Sequence, residues 1–456
     1  MRALLRALVG LLALAVAACS RPAGPPNVVV VLVDTLRADH LGSYGNGRGL
    51  TPFLDQLAAR GARFDRAYAT SSWTMPSVAS LFTARYPSQH GVQTMQSQLG
   101  ESEHTLAEAL VARGWAAAGF SANLLVGEPH GFGQGFDPFL AFAVEPPAAK
   151  VRGATLREHG RQWLESRPSG AASPLLLYFQ FMEPHAPYEP PEPWRGRLVR
   201  PHAAGDIEAA AKVMEEHKIW NRPPEQIALL ASLYDGEVAA ADEEVRLLFD
   251  ELQRRGLLAN AVVVITADHG EEFGDHGGLS HGFTLFEEQV RVPLIVLAPG
   301  LEPAVVREPV SLVDVAPTVL DLAGVQAPPS FEGRSLVPLM RGAASSPPVP
   351  VDLLAELESM GPRKGLRKHQ SALVRGDLKV LRSPNPFIAP QLFDLGADPG
   401  ERHPDPPALA AERDALLTAL DALQATLAGR ASPANAPVQL DDATREKLRA
   451  LGYESE

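Results

Sequence analysis

The sequence predicts an α/β protein, in which a large, mixed but mostly parallel sheet is sandwiched by helices and a small α+β region follows at the C-terminal end. Three observations carry this reading. Residues 27–33 (NVVVVLV) and 261–267 (AVVVITA) are apolar runs of strand length, as expected of strands covered on both faces. Helical patterns alternate with them along the chain. Both runs end on aspartates, Asp34 and Asp268, and carboxylates leaving neighbouring strand ends meet where open α/β sheets place their ligands.

The elements follow in order. Residues 1–19 carry Arg2 and Arg6, an apolar run from position 7 to 18, and small residues ahead of Cys19. That run is shorter than the ~20 residues a membrane span needs, and it looks like the leader of a bacterial lipoprotein cleaved before Cys19. The expected product is an exported lipoprotein, anchored to a membrane through lipidated Cys19 on the periplasmic or cell-surface side. Cys19 is the only cysteine, so no disulfide, thiolate nucleophile or cysteine metal ligand is expected beyond it. Residues 20–26 read as a linker.

The strand at 27–33 leads through Asp34 to a helix opened by Thr51 and Pro52 and closed at Gly61. A strand near 63–68 then delivers the chain to Thr74. Pro76, preset for the first turn of a helix, starts the next one there. Residues 115–121 and 175–181 read as further strands, the second running into the proline-rich loop EPHAPYEPPEP. Ile227, Leu230, Tyr234, Val238, Ala241, Val245, Leu248 and Leu252 recur at steps of three and four, which predicts an amphipathic helix ending at Gly256. It feeds the strand at 261–267 as a right-handed crossover. Residues 294–297, after Pro293, read as another core strand.

Small residues and proline at 345–350 mark the edge of the large domain, residues 27–344. In the C-terminal part, 345–430, antiparallel strands are expected at 371–374 and 378–381. A helix with Leu416, Leu420, Leu423 and Leu427 on one stripe follows them. The polar tail, 431–456, is expected to lie loosely on the surface.

The 54 acidic against 41 basic residues, a net charge of -13, repel nucleic-acid backbones, so nucleic acid is not an expected partner. The glycines of GFGQGFD, at 131–137, follow no strand and read as a surface loop rather than a nucleotide site. What remains is a metal site in outline. Asp34 or Asp268 alone reads best as a turn or cap residue; together, with His269 beside Asp268, they bring carboxylate oxygens and an imidazole to one place. Such a set suits Zn, Mn, Mg or Ca. Thr74 reads equally as an ordinary N-cap or as a hydroxyl facing the cation, with helix amides behind it. Arg37 and Arg85 read as structural ion pairs, and His276 and Glu271 as supporting or solvated groups.

Six stretches carry a family resemblance: VVVVLVDTLRADHLGSYG, SSWTMPSVASLFTARYPSQHG, FMEPHAPYEPP, ITADHGEEFGDHG, LFEEQVRVPLIVLAPG and SLVDVAPTVLDLAGV, joined by KVLRSPNPFIAPQLFDLGADPGE near the C-terminus. In this order the chain resembles the sulfatase family of the alkaline phosphatase superfamily. The resemblance implies an alkaline phosphatase-like fold, Asp34, Asp268 and His269 as metal ligands, and Thr74 in the nucleophile position. It also implies that His185 and His281 contact substrate or assist the leaving group.

The chain departs from the family pattern at three positions. The family's nucleophile is a cysteine or serine matured to formylglycine, with an arginine four residues on; here Thr74 and Val78 stand there, so formylglycine cannot form. Thr35 replaces the usual second acidic residue after Asp34. A sulfated threonine would need a second attack at sulfur, whereas a phosphorylated one is turned over by in-line attack of water. The expectation is therefore a metal-dependent hydrolase of sulfate or phosphate esters, with phospho-esters favoured, acting on a small-molecule, glycan or lipid ester. The alternatives are a phosphoethanolamine-type head-group transferase and a non-catalytic binding protein on the same fold.

Overall fold

The computed structural model describes residues 24–143, 150–168, 173–201, 203, 205–207, 222–342, 351–358, 369–383, 385, 388–433 and 435–450. The leader, residues 20–23 of the linker and the boundary at 345–350 lie outside the described residues.

Six strands of the central sheet come first along the chain: β1 (Asn27–Val33), β2 (Ala62–Tyr68), β3 (Ala116–Ser121), β4 (Phe139–Ala141), β5 (Leu175–Phe181) and β6 (Ala261–Thr266). The short ribbon β7 (Glu272–Phe273) and β8 (Leu279–Ser280) follows, and β9 (Arg291–Leu297), β10 (Ala304–Val306) and β11 (Val310–Ser311) complete the large sheet. Its order is β10-β2-β9-β6-β1-β5-β3-β4, with β11 also on β2. β6, β1, β5, β3 and β4 run parallel, and β9 alone is antiparallel to its neighbours β6 and β2. The mixed, mostly parallel sheet is the predicted one.

Helices cover both faces, which is why these strands are apolar without alternation. Tyr178 and Phe179 on β5 show it, since adjacent strand residues point to opposite faces. Tyr178 packs edge-on to Phe82 of α2 (Thr74–Thr83), with ring centroids 4.9 Å apart. Phe179 meets Gly160 of α3 (Gly153–Ser166) on the other face, where a Cβ on that glycine would lie 2.9 Å from the ring. With α3 go α1 (Pro52–Ala58) and the long α4 (Pro224–Arg254), which pack on each other. The predicted stripe of α4 is buried except for Ile227, which is half-buried, and the helix gives way to left-handed Gly256 (φ 72°). Gly61 has a different job from the expected helix stop. A Cβ there would sit 2.5 Å from the Val296 carbonyl, so glycine lets the backbone pass close to β9.

The C-terminal region forms a four-stranded antiparallel sheet, β12 (Leu353–Glu358), β13 (His369–Arg375), β14 (Leu378–Arg382) and β15 (Gln391–Asp394). Alternation divides its faces. Leu354, Leu373, Val380 and Leu392 pack with Leu416, Leu420 and Leu427 of α5 (Ala410–Ala428), while Ala355, Leu357, Ala372 and Val374 join the core of the large domain. The sheet is thus fastened to the main body, and the Glu356 amide donates to the Thr70 carbonyl at 2.8 Å, next to the start of α2. The described part of the tail is not loose as expected. The Val438 amide bonds the Gln96 carbonyl at 2.8 Å, and Leu448 of α6 (Asp442–Ala450) is buried against the main core.

Candidate metal and nucleophile site

β1 and β6 are hydrogen-bonded neighbours, so the residues that leave their C-terminal ends emerge side by side. Asp34, fully buried, accepts Asn123 Nδ2 at 3.0 Å and Gln180 Nε2 at 3.2 Å on Oδ2. Its Oδ1 has no hydrogen-bond partner. Asp268 accepts the backbone amides of Thr35 (3.2 Å) and His269 (3.0 Å) on Oδ1, and its Oδ2 is likewise unpartnered. His269 Nδ1 lies 2.9 Å from the Gly270 carbonyl, which can only accept, so the proton is on Nδ1 and the lone pair on Nε2. That lone pair lies 3.5 Å from Asp268 Oδ2 and 3.9 Å from Asp34 Oδ1.

Two bare carboxylate oxygens and an imidazole lone pair converge here, in a place without water access. The electrostatics register the conflict. Burial, then the charge of Asp268, pushes the Asp34 carboxyl up to about 8. Burial pushes Asp268 up to about 7 and His269 down. A divalent cation resolves all three at once, so the donor set, two oxygens and one nitrogen with ligand atoms within 4.8 Å of one another, fits one.

Thr74 is the first residue of α2, with Trp73 as its N-cap, and no side-chain cap bond is made. The ordinary N-cap reading therefore does not hold. Its hydroxyl instead lies 3.3 Å from His269 Nε2, with the positive end of the helix dipole behind it.

His185 and His281 arrive from separate loops. The His185 amide bonds the Met182 carbonyl at 2.8 Å, and buried Lys150, itself paired with Glu237 at 2.9 Å, donates to the His185 carbonyl at 2.6 Å. The His281 ring lies 4.4 Å from that of His269 and 5.0 Å from that of His185. All six sequence-predicted residues thus come together. Glu271, read from sequence as supporting or solvated, is fully buried and joins them. Its Oε1 is 2.9 Å from His281 Nδ1, and its Oε2 accepts the Tyr188 hydroxyl at 2.8 Å. Burial, then the charge of neighbouring imidazoles, pushes His281 and His185 well below their ordinary range, and burial raises Glu271.

Asn123 and Gln180 were missed in the sequence, although each left a signal. Gln180 is the one polar side chain save Tyr178 in LLLYFQF, and Asn123 follows a buried strand as Asp34 does. Arg37 and Arg85 are structural, as expected. Arg37 pairs with Asp39 (2.7 Å) and Asp275 (2.8 Å), and Arg85 with Glu103 (2.7 Å). The segment at 131–137 is a surface loop, as expected, with Phe132 alone of its residues buried.

Comparison with known proteins agrees with this architecture. The sulfatase family model matches residues 26–325, and a model of the N-sulphoglucosamine sulphohydrolase C-terminal region matches residues 274–405. Human arylsulfatase A is 31% identical over 372 residues, covering 74% of this chain and 72% of its own. N-acetylglucosamine-6-O-sulfatase of Bacteroides thetaiotaomicron is 24% identical, with 86% of each chain covered. Among solved structures, the phosphonate monoester hydrolase of Agrobacterium radiobacter shares the fold with a TM-score of 0.72 at 22% identity, covering 88% of this chain and 96% of that one.

Proposed function

Because this chain belongs to the sulfatase family and is a hydrolase of that family, we propose that it cleaves esters of phosphate or sulfate with a divalent cation held by Asp34, Asp268 and His269, and that phospho-esters are its better substrates. One observation carries the reading: the Thr74 hydroxyl stands 3.3 Å from His269 Nε2, beside two carboxylate oxygens that lack any hydrogen-bond partner. A divalent cation of the Zn, Mn, Mg or Ca group, when bound, lowers the pKa of a hydroxyl it holds and neutralises charge on ester oxygens.

The chain's own residues then act as follows. Thr74 Oγ1, its proton released to solvent, attacks phosphorus in line as the P–O bond to the leaving group breaks. His281, held through Nδ1 by Glu271, has Nε2 left to pass a proton to the departing oxygen, and the anionic ester opposes the burial that otherwise keeps this ring neutral. His185 Nδ1 faces the Ala186 carbonyl at 2.5 Å, so its Nε2 donates to an ester oxygen as the imidazolium, a form that the anionic ester favours. Water then attacks phosphorus, passing a proton to His281 Nε2, as the Oγ1–P bond breaks and Thr74 Oγ1 departs as the alkoxide that meets the next ester. Formylglycine would shed sulfate by elimination from a geminal diol, a route that threonine lacks.

The experiment is a comparison of purified wild-type protein on p-nitrophenyl phosphate, a phosphodiester and p-nitrophenyl sulfate, with cation supplied. Faster turnover of either phosphate is expected; cleavage of the sulfate alone would reject the preference. With labelled phospholipid, release of free head group is expected, and a modified acceptor would favour the transferase instead.

Anchoring through lipidated Cys19 on the outer side of a membrane remains part of the proposal. No described helix is long and apolar enough to cross one. Fractionation tests it: the protein should follow the membrane, and Cys19→Ala should release it.

A further inference from the structure

Thr35 combines three unusual features. It is a β-branched residue in the left-handed region (φ 58°), it is fully buried, and its Oγ1 has no hydrogen-bond partner. Left-handed backbone is disfavoured for a branched side chain and persists only where the surroundings enforce it. Here they do. The Thr35 amide donates to Asp268 Oδ1 at 3.2 Å, and its carbonyl accepts the Tyr234 hydroxyl at 2.7 Å. That same hydroxyl accepts the Arg37 amide at 3.0 Å, which closes the turn. The residue is thus pinned between Asp34, its chain neighbour, and Asp268, across the sheet.

A buried hydroxyl without a partner costs the protein its hydration, and valine would fill the same volume without that cost. Such an atom, on a strained residue between two carboxylates that each keep one unpartnered oxygen, points to a ligand the three share. Resting on the cation reading above, we propose that Thr35 Oγ1 is a further, neutral oxygen donor to the cation held by Asp34, Asp268 and His269.

The position sets which cation the site takes. Two carboxylates balance a divalent charge, and a neutral third oxygen leaves the site uncharged overall. A carboxylate at position 35 would add negative charge and oxygen donors, which favours Ca²⁺, a cation that prefers many oxygen ligands; with threonine the imidazole weighs more, which favours Mn²⁺.

The test is equilibrium titration of chelator-treated, full-length protein with Mn²⁺, followed by electron paramagnetic resonance of the free ion, and with Ca²⁺, followed by calorimetry. Thr35→Val should weaken Mn²⁺ binding about tenfold or more, and Thr35→Ser, which keeps the hydroxyl, should stay within about threefold of wild type. Thr35→Asp should shift preference toward Ca²⁺ by about tenfold. Thr35→Gly suits the backbone and lacks the hydroxyl. It should melt higher than wild type in chelator yet bind Mn²⁺ as weakly as the valine variant, so the comparison survives if the valine variant does not fold. Wild-type affinity in both the valine and glycine variants would overturn the role of Thr35, as would a rise in KM with cation affinity unchanged. Failure of wild type to bind either ion would overturn the cation reading itself, and this proposal with it.

Discussion

Among the described residues, two clusters bring imidazole and carboxylates within ligand distance, and they differ in what they leave unpaired. In the cluster of Asp34, Asp268 and His269, one oxygen of each aspartate has no partner and the His269 lone pair faces both. In the cluster of His276, Glu288 and Glu401, His276 Nδ1 lies 2.9 Å from Glu288 and Nε2 3.1 Å from the Glu401 carbonyl. Buried Lys379 places its ammonium 2.9 Å from Glu401 and 3.0 Å from Glu287. The protein thus supplies its own cation at the second cluster and none at the first. Residue type and distance therefore do not by themselves make a metal site; the missing counter-charge does. The second cluster joins β14 and the Glu401 loop to the main body, a structural duty.

The comparison can be broken by variants at each cluster. Thr74→Ala should lower kcat by about ten-thousandfold while the fold holds, measured by steady-state kinetics beside thermal unfolding. Lys379→Met should cost about 3–5 kcal/mol in denaturant unfolding, because buried Glu401 and half-buried Glu287 lose their ammonium, and should leave cation affinity unchanged. A large loss of cation affinity there would erase the distinction between the clusters. Glu271→Gln should reduce kcat about 10–100-fold with KM and cation affinity close to wild type, since it frees the His281 ring rather than removing it.

The smallest effect is in pH. Asp34 and Asp268, at about 8 and about 7 in the cation-free fold, lie above the 3.8 of an unfolded aspartate. Their contribution to stability is present below that value, where both states are protonated alike, and is lost as pH rises through 7 to 8. Cation binding displaces those protons, so the rise in melting temperature on adding Mn²⁺ should grow from pH 5 to pH 8. A rise independent of pH would place the ion elsewhere.

The central sheet and the site were legible in the sequence for one reason: buried parallel strands are continuous apolar runs, and a charged residue at the end of such a run stands out. Asp34, Asp268 and His269 gave that signal, and His185 and His281 came through the family resemblance. Glu271 did not stand out, because in DHGEEFGDHG nothing separates a buried carboxylate from its solvated neighbours until the loop is folded. The tail was misread for a similar reason. Its composition is polar, but Leu448 and the Val438 amide reach fixed partners that no local pattern announces. Thr35 was visible only as a departure from the family pattern; its left-handed backbone belongs to the folded chain.

The most direct test is chelation and reconstitution. Protein stripped of divalent cations should lose ester hydrolysis, and stepwise return of Mn²⁺ should restore it with saturation at one ion per chain, in wild type and not in Asp268→Asn. Full activity in the stripped protein, or full restoration in Asp268→Asn, would contradict the account.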